Sequence, residues 1–179
     1  MLGNIQVTAI LAVDRQRGDL PYRPLPSLDE ARQELARSEP NKAASGPGMM
    51  NYKHWQAVIE AHSGTPHTGK SYHQRLIQLG PVALVPIPGE PFAEIVLRLR
   101  HYSPYQHTLC LSTSCGNIGY FPSRESLHRG GYEVWVAKAF GAYIAAENID
   151  DVLVEENLKL LRKLQAYTDI APAKSTDRT

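Results

Sequence analysis

The chain has 179 residues, enough for one domain with a core of its own and too few for two of ordinary size. Hydrophobic residues make up 42% and charged residues 21%, the proportions of a globular protein, which argues against a disordered or fibrous class. A formal net charge of +1 supplies no bulk field for nucleic acid or an anionic membrane, no apolar run reaches the roughly 18 residues of a membrane helix, and two cysteines make no disulfide framework.

Residues 4–13 place Ile5, Val7, Ala9, Leu11 and Val13 on one face at period two, which predicts a strand entering a buried sheet. The opening residues lack a basic region before the apolar run, so they read as a poor signal peptide and leave localisation undetermined. A buried strand this close to Met1 also suggests that a preceding portion is absent. Asp14 to Pro26 is polar with three prolines and reads as an extended connection. Ser27 and Glu30 form a capping box for a helix to about Arg37, with Leu28, Ala31 and Leu35 on its apolar side. Pro40 to Gly48 reads as a loop, and Asn51 to His62 as a helix with Trp55, Val58 and Ile59 as its stripe.

Gly64 to Ser71, GTPHTGKS, matches the phosphate-loop pattern at every fixed position. In a true phosphate loop, backbone N–H groups cradle phosphates, Lys70 reaches the outer ones and Ser71 ligates magnesium. That reading needs a strand before Gly64 and a helix after Lys70, whereas a helical pattern precedes it. The competing reading is a polar linker from Ser63 to Ser71.

Tyr72 to Leu79 and Val82 to Ile87 read as two strands joined at Gly80-Pro81. Pro91 suits a first helical position, which makes Glu90 the expected N-cap of a helix carrying Phe92, Ile95, Val96 and Leu99 on one face and ending near Tyr102. Gln106 to Thr113 reads as a strand, Ser114 to Pro122 as a loop carrying Tyr120, and Ser123 to Arg129 as a helical turn closed by Gly130-Gly131 before Tyr132. Val134 to Ala146 is apolar and fits either class. Asn148 opens a final helix to about Gln165, with Leu153, Leu160, Leu161 and Leu164 inward. Residues 1–166 are thus expected to form one folded unit and 167–179 a polar, disordered tail.

Three residues at glycine- or proline-rich corners can do chemistry. Glu90 can ligate a metal, act as a base, or simply cap its helix. Tyr120 and Tyr132, 12 residues apart, can hydrogen-bond or, beside a dication, ionise. His101, His107, Cys110 and Cys115 have zinc-like spacings, but strand alternation puts His107 and Cys110 on opposite faces, so they do not converge. His54 and His62 read as packing or surface residues, and His67 and His73 have no clear partner.

The run ALVPIPGEPFAEIVLRLR, the following strand, and GNIGYFPSRESLHRGGYEV together resemble the C-terminal part of the catalytic region of the neutral/alkaline, non-lysosomal ceramidase family. PYRPLPSLDEARQEL is similar to its shorter bacterial relatives, so the resemblance spans nearly all of residues 5–165. It implies an α/β fold, a mixed sheet with flanking helices, forming an incomplete portion of a larger catalytic domain. It implies a zinc-dependent amidase acting on N-acyl sphingoid lipids or a related small-molecule or lipid amide. Glu90 in PGEPF and Tyr120 in IGYFP would be metal ligands, and Tyr132 in GGYEV an active-site hydrogen-bonding residue. A zinc-activated water would attack the amide carbonyl. The two histidine ligands would come from an N-terminal half absent here, and Cys115 and Asn117 depart from the family's loop before the tyrosine ligand. The expected outcome is a chain inactive by itself. A nucleotide-binding protein using Gly64–Ser71, or a non-catalytic interaction module, are the alternatives.

Overall fold

The computed structural model describes residues 11–43, 45–137 and 141–170. The fold is α/β. A four-stranded mixed sheet has the order β1-β2-β3-β5, formed by β1 (Leu11–Pro21), β2 (Gly69–Leu79), β3 (Val82–Pro86) and β5 (His107–Leu111). The first three strands are antiparallel and β5 joins β3 in parallel. A second, two-stranded sheet pairs β4 (Glu90–Pro91) with β6 (Tyr120–Phe121).

Between β1 and β2 lie α1 (Leu28–Ser38), a short 3-10 turn (Glu39–Asn41) and α2 (Pro47–Ala61). Ser27 caps α1 as its sequence predicts, its hydroxyl accepting from the Glu30 backbone N–H at 3.2 Å. Helix α2 begins four residues earlier than its apolar stripe indicates, because Pro47 is itself suited to the first helical turn. Downstream are α3 (Ala93–Tyr102), α4 (Arg124–Arg129), α5 (Tyr132–Val136) and α6 (Ile149–Ile170). Helix α6 continues past the predicted boundary at residue 166 to Ile170, and residues 171–179 lie outside the described part. None of the described helices is long and apolar enough to cross a membrane.

Helices α3 and α6 cover one face of the sheet. Leu76, Ala83 and Val85 from the strands, with Ile87 just past β3, meet Ile95 and Leu99 of α3 and Leu153, Leu160, Leu161 and Leu164 of α6, all buried. Among the described residues, no helix packs on the opposite face. Leu79, Leu109 and Leu111 are exposed there, whereas Thr108 and half-buried Cys110 face the core.

Three expectations are corrected. Most of Asp14–Pro26 is not a connection, since β1 runs to Pro21 and pairs residue by residue with β2. A strand at the sheet edge needs no apolar outer face, and its terminal proline withdraws no N–H from an inner ladder. Of the strand expected over residues 4–13, only 11–13 fall in the described part, and these belong to β1. The phosphate-loop reading also falls. Gly69, Lys70 and Ser71 are extended and paired with Pro21, Leu20 and Asp19. Gly69 is needed for close approach, because a Cβ there would sit 2.6 Å from the Leu20 carbonyl oxygen. Finally, Glu90 does not cap α3. Phe92 occupies that position with no side-chain cap bond, and Glu90 is a strand residue.

Two buried amides tie the layers together. Gln74 Nε2 donates to Asn157 Oδ1 at 2.7 Å and to the Pro86 carbonyl at 2.6 Å, while Asn157 Nδ2 donates to the Leu153 carbonyl at 2.8 Å. Gln74 Oε1 keeps no partner, but the bonds made by its Nε2 would be lost if α6 slid along β2, so the pairing favours one register.

Burial, followed by the negative charges of Cys115, Glu156 and Asp19, pushes the Tyr72 phenol up to about 12 from 10.0. A raised folded-state value means that the unfolded chain releases its proton first. Stability contributed by this group is therefore intact below pH 10 and declines between pH 10 and 12. Urea midpoints measured across that window are expected to fall less steeply in Tyr72→Phe than in the native chain.

Candidate functional site

Strands β3 and β5 run parallel, and their C-terminal ends open toward the same place. The segment after β3 is laced to the segment after β5 by backbone hydrogen bonds. The Ile87 N–H donates to Leu111 O at 2.8 Å and Ile118 N–H to Pro88 O at 2.9 Å. Thr113 N–H donates to Gly89 O, and Glu90 N–H to Gly119 O, both at 2.9 Å, and Phe92 N–H donates to Phe121 O at 3.0 Å. Pro91 has no N–H to offer, and in this parallel bridge its neighbours on either side supply the donors.

Gly89 makes the approach possible. A Cβ at this position would overlap the Gly119 carbonyl oxygen and lie 2.7 Å from the Phe121 ring. The loop ahead of β6 is held by Asn117, whose Oδ1 accepts from the Gly119 N–H at 3.1 Å. That short turn is a local role for a residue that departs from the resembled family's pattern.

The pairing aligns Glu90 with Tyr120 in register. The Tyr120 hydroxyl donates to the Glu90 carboxylate, and burial first, then the charge and hydrogen bond of Glu90, then Tyr132 and Glu133, push the phenol above its ordinary value of 10.0. Without a cation, Tyr120 is thus held as a protonated donor facing an acceptor. Glu90, Tyr120, Ser112, Glu94 and Glu133 line one open cavity of about 480 Å³. Glu94 is paired with Arg129 at 3.8 Å.

Tyr132 does not line this cavity; it lines a different hollow with Pro47, Val134 and Trp135. It opens α5 directly after Gly130, whose φ of 78° is easily adopted only by glycine, and Gly131. It is 66% exposed with its ring 6.4 Å from that of Trp135, close enough to influence Tyr120 electrostatically yet turned largely to solvent. Glu133, which the sequence reading did not single out, shares the cavity with Glu90. Its only sequence signal is its position immediately after Tyr132.

No histidine lines this cavity. His54 is buried against Gly141 O at 2.8 Å, His62 meets Pro26 O at 2.9 Å, and His67 lies edge-on to Tyr143. His73, His101, His107 and His128 are exposed. Among the described residues, no three His, Cys, Asp or Glu side chains are grouped so as to hold a metal ion. Glu90 and Tyr120 are two ligand residues, fewer than the three protein ligands of a catalytic zinc, so they do not form a zinc site by themselves.

No protein-family profile matches the chain, and no curated protein matches it in sequence. Among solved structures there is a likeness in fold. A neutral ceramidase from Pseudomonas aeruginosa is similar over 90% of this chain and 30% of its own, with 14% identity and a TM-score of 0.48. A ceramidase complexed with C2 is similar over 54% of this chain and 15% of its own, with 12% identity and a TM-score of 0.47. The chain therefore spans less than a third of either structure.

Two outcomes follow. Gly89→Ala is expected to cost about 1–3 kcal/mol from overpacking and to separate Glu90 from Tyr120; the change is read from the urea midpoint and from loss of the Tyr120 shift. Glu90→Gln removes the facing anion, so the Tyr120 phenol should titrate closer to 10.0 than in the native chain. Carbon NMR of ring-labelled tyrosine measures it.

Proposed function

We propose that this chain is the C-terminal portion of a zinc-dependent hydrolase of linear amides, of the neutral ceramidase type, acting on N-acyl sphingoid lipids or a related amide. Glu90 and Tyr120 would each give one oxygen to the metal. Histidines on a polypeptide outside this chain would complete the site. Tyr132 would donate a hydrogen bond to the substrate's carbonyl oxygen as negative charge develops there.

The observation that carries the reading is the in-register pairing of Glu90 with Tyr120 across the β4–β6 bridge, residues 30 positions apart that meet through their hydroxyl and carboxylate. A helix cap would have explained Glu90 by its own turn alone. Its strand position leaves the carboxylate facing the phenol in a cavity open to a ligand, which is what a shared metal requires of both groups.

The isolated chain is expected to retain well under one equivalent of zinc after gel filtration and to release no fatty acid from an N-acyl sphingosine. Zinc added in excess should nonetheless shift the Tyr120 ring carbon toward the tyrosinate position, and Glu90→Gln should abolish that shift. A full equivalent of tightly held zinc with turnover would overturn the need for an outside histidine half. A zinc-insensitive Tyr120 would remove the ligand assignment and leave a non-catalytic interaction module.

A further inference from the structure

The run Pro88-Gly89-Glu90-Pro91 leaves one residue free to turn. The proline rings fix φ at positions 88 and 91, and Pro91 confines Glu90 to the extended backbone it shows in β4. Gly89, without a Cβ, alone keeps two unrestricted dihedrals. The tilt of the Gly89–Glu90 peptide therefore decides where the Glu90 carboxylate points.

Both ends of that peptide are bonded, and to different parts of the chain. Its N–H, from Glu90, donates to Gly119 O at 2.9 Å, on the β6 side. Its carbonyl, from Gly89, accepts twice from the residues just past β5, from the Thr113 N–H at 2.9 Å and from the Ser112 hydroxyl at 3.1 Å. The chain reaches this arrangement through a sharp turn at Thr113, the one non-glycine residue with positive φ, 53°, among the described residues. A β-branched residue in the left-handed region is an outlier that its contacts must hold. Those contacts are the bond from its N–H to Gly89 O and the bond from its hydroxyl to Ser112 O at 2.8 Å.

We propose that Ser112 and Thr113 are positioning residues for Glu90, clamping the Gly89 carbonyl so that the carboxylate is held against Tyr120. Ser112 lines the same cavity as Glu90 and Tyr120, but its proton is committed to Gly89 O, so it acts through the backbone. A turn alone would take glycine or asparagine at less cost. Threonine is held in this conformation by what its N–H reaches. The consequence for metal binding rests on the reading of Glu90 and Tyr120 as ligands, whereas the clamp itself does not.

The test is carbon NMR on the full chain, labelled at the Gly89 carbonyl and the tyrosine rings. Ser112→Ala should move the Gly89 carbonyl carbon upfield, as a carbonyl does on losing a donor. It should also raise about 5-fold the zinc concentration that half-shifts the Tyr120 ring carbon, the effect of one lost hydrogen bond. Ser112→Thr keeps the hydroxyl and should restore both. Thr113→Gly keeps the N–H and should leave the urea midpoint unchanged or raise it, because glycine adopts a positive φ freely; at a negative φ the same change would lower it. An unmoved Gly89 carbon or a native zinc response in Ser112→Ala, no recovery in Ser112→Thr, or a lower midpoint in Thr113→Gly would each overturn the proposal. If zinc leaves Tyr120 untouched in the native chain, the ligand assignment falls instead. The clamp is then decided without metal: in Ser112→Ala the Tyr120 ring carbon should move toward its position in Glu90→Gln, and an unmoved resonance would overturn it.

Discussion

The arrangement at the heart of this chain depends on one close backbone approach. Gly89 lies against Gly119 and Phe121, and the absence of a single Cβ allows the segment after β3 to pair with the segment after β5. Without that contact Glu90 and Tyr120 would belong to separate loops. With it they become neighbours in a two-residue ladder whose geometry comes from backbone hydrogen bonds rather than from side-chain preference. Such a ladder would be marginal alone. It persists here because both entering segments extend parallel strands of the larger sheet, and because Phe92 and Phe121 continue into α3 and the core.

The remaining elements hold those strand ends in place. Arg98 of α3 and Arg124 of α4 converge on Asp150 and Asp151 at the start of α6, with contacts of 3.3, 2.6 and 2.7 Å. Asp150 is buried and also accepts from the Arg124 backbone N–H at 3.1 Å. This network sits where α3, α4 and α6 meet, at the opposite end of α4 from the glycines that lead to Tyr132. The Gln74–Asn157 pair does the same work on the sheet side, since a polar contact inside an apolar layer discriminates between registers that leucines alone would tolerate.

Local patterns carried much of this architecture. The i, i+3, i+4, i+7 spacing marks α3, the alternation on either side of Gly80 marks β2 and β3, and Ser27 marks the start of α1. The leucines from Leu153 to Leu164 mark the inner side of α6. What local pattern could not convey is pairing at a distance. Residues 14–21 of β1 are too polar to read as a strand, and only their pairing with β2 makes them one. Glu90 beside Pro91 reads as a cap because that rule is local, whereas its actual partner lies beyond a helix and a strand. The same distance hides Glu133, which joins the cavity through α5 and not through any motif. GTPHTGKS shows the converse: a complete local pattern is overruled by the strand partner that Gly69–Ser71 acquires.

The sheet is covered by helices on one side, with Leu79, Leu109 and Leu111 facing outward on the other. Each 100 Å² of such surface removed from water contributes about 2.5 kcal/mol. A partner that covered that face would therefore stabilise the folded form by mass action, and the melting temperature would rise with the partner's concentration.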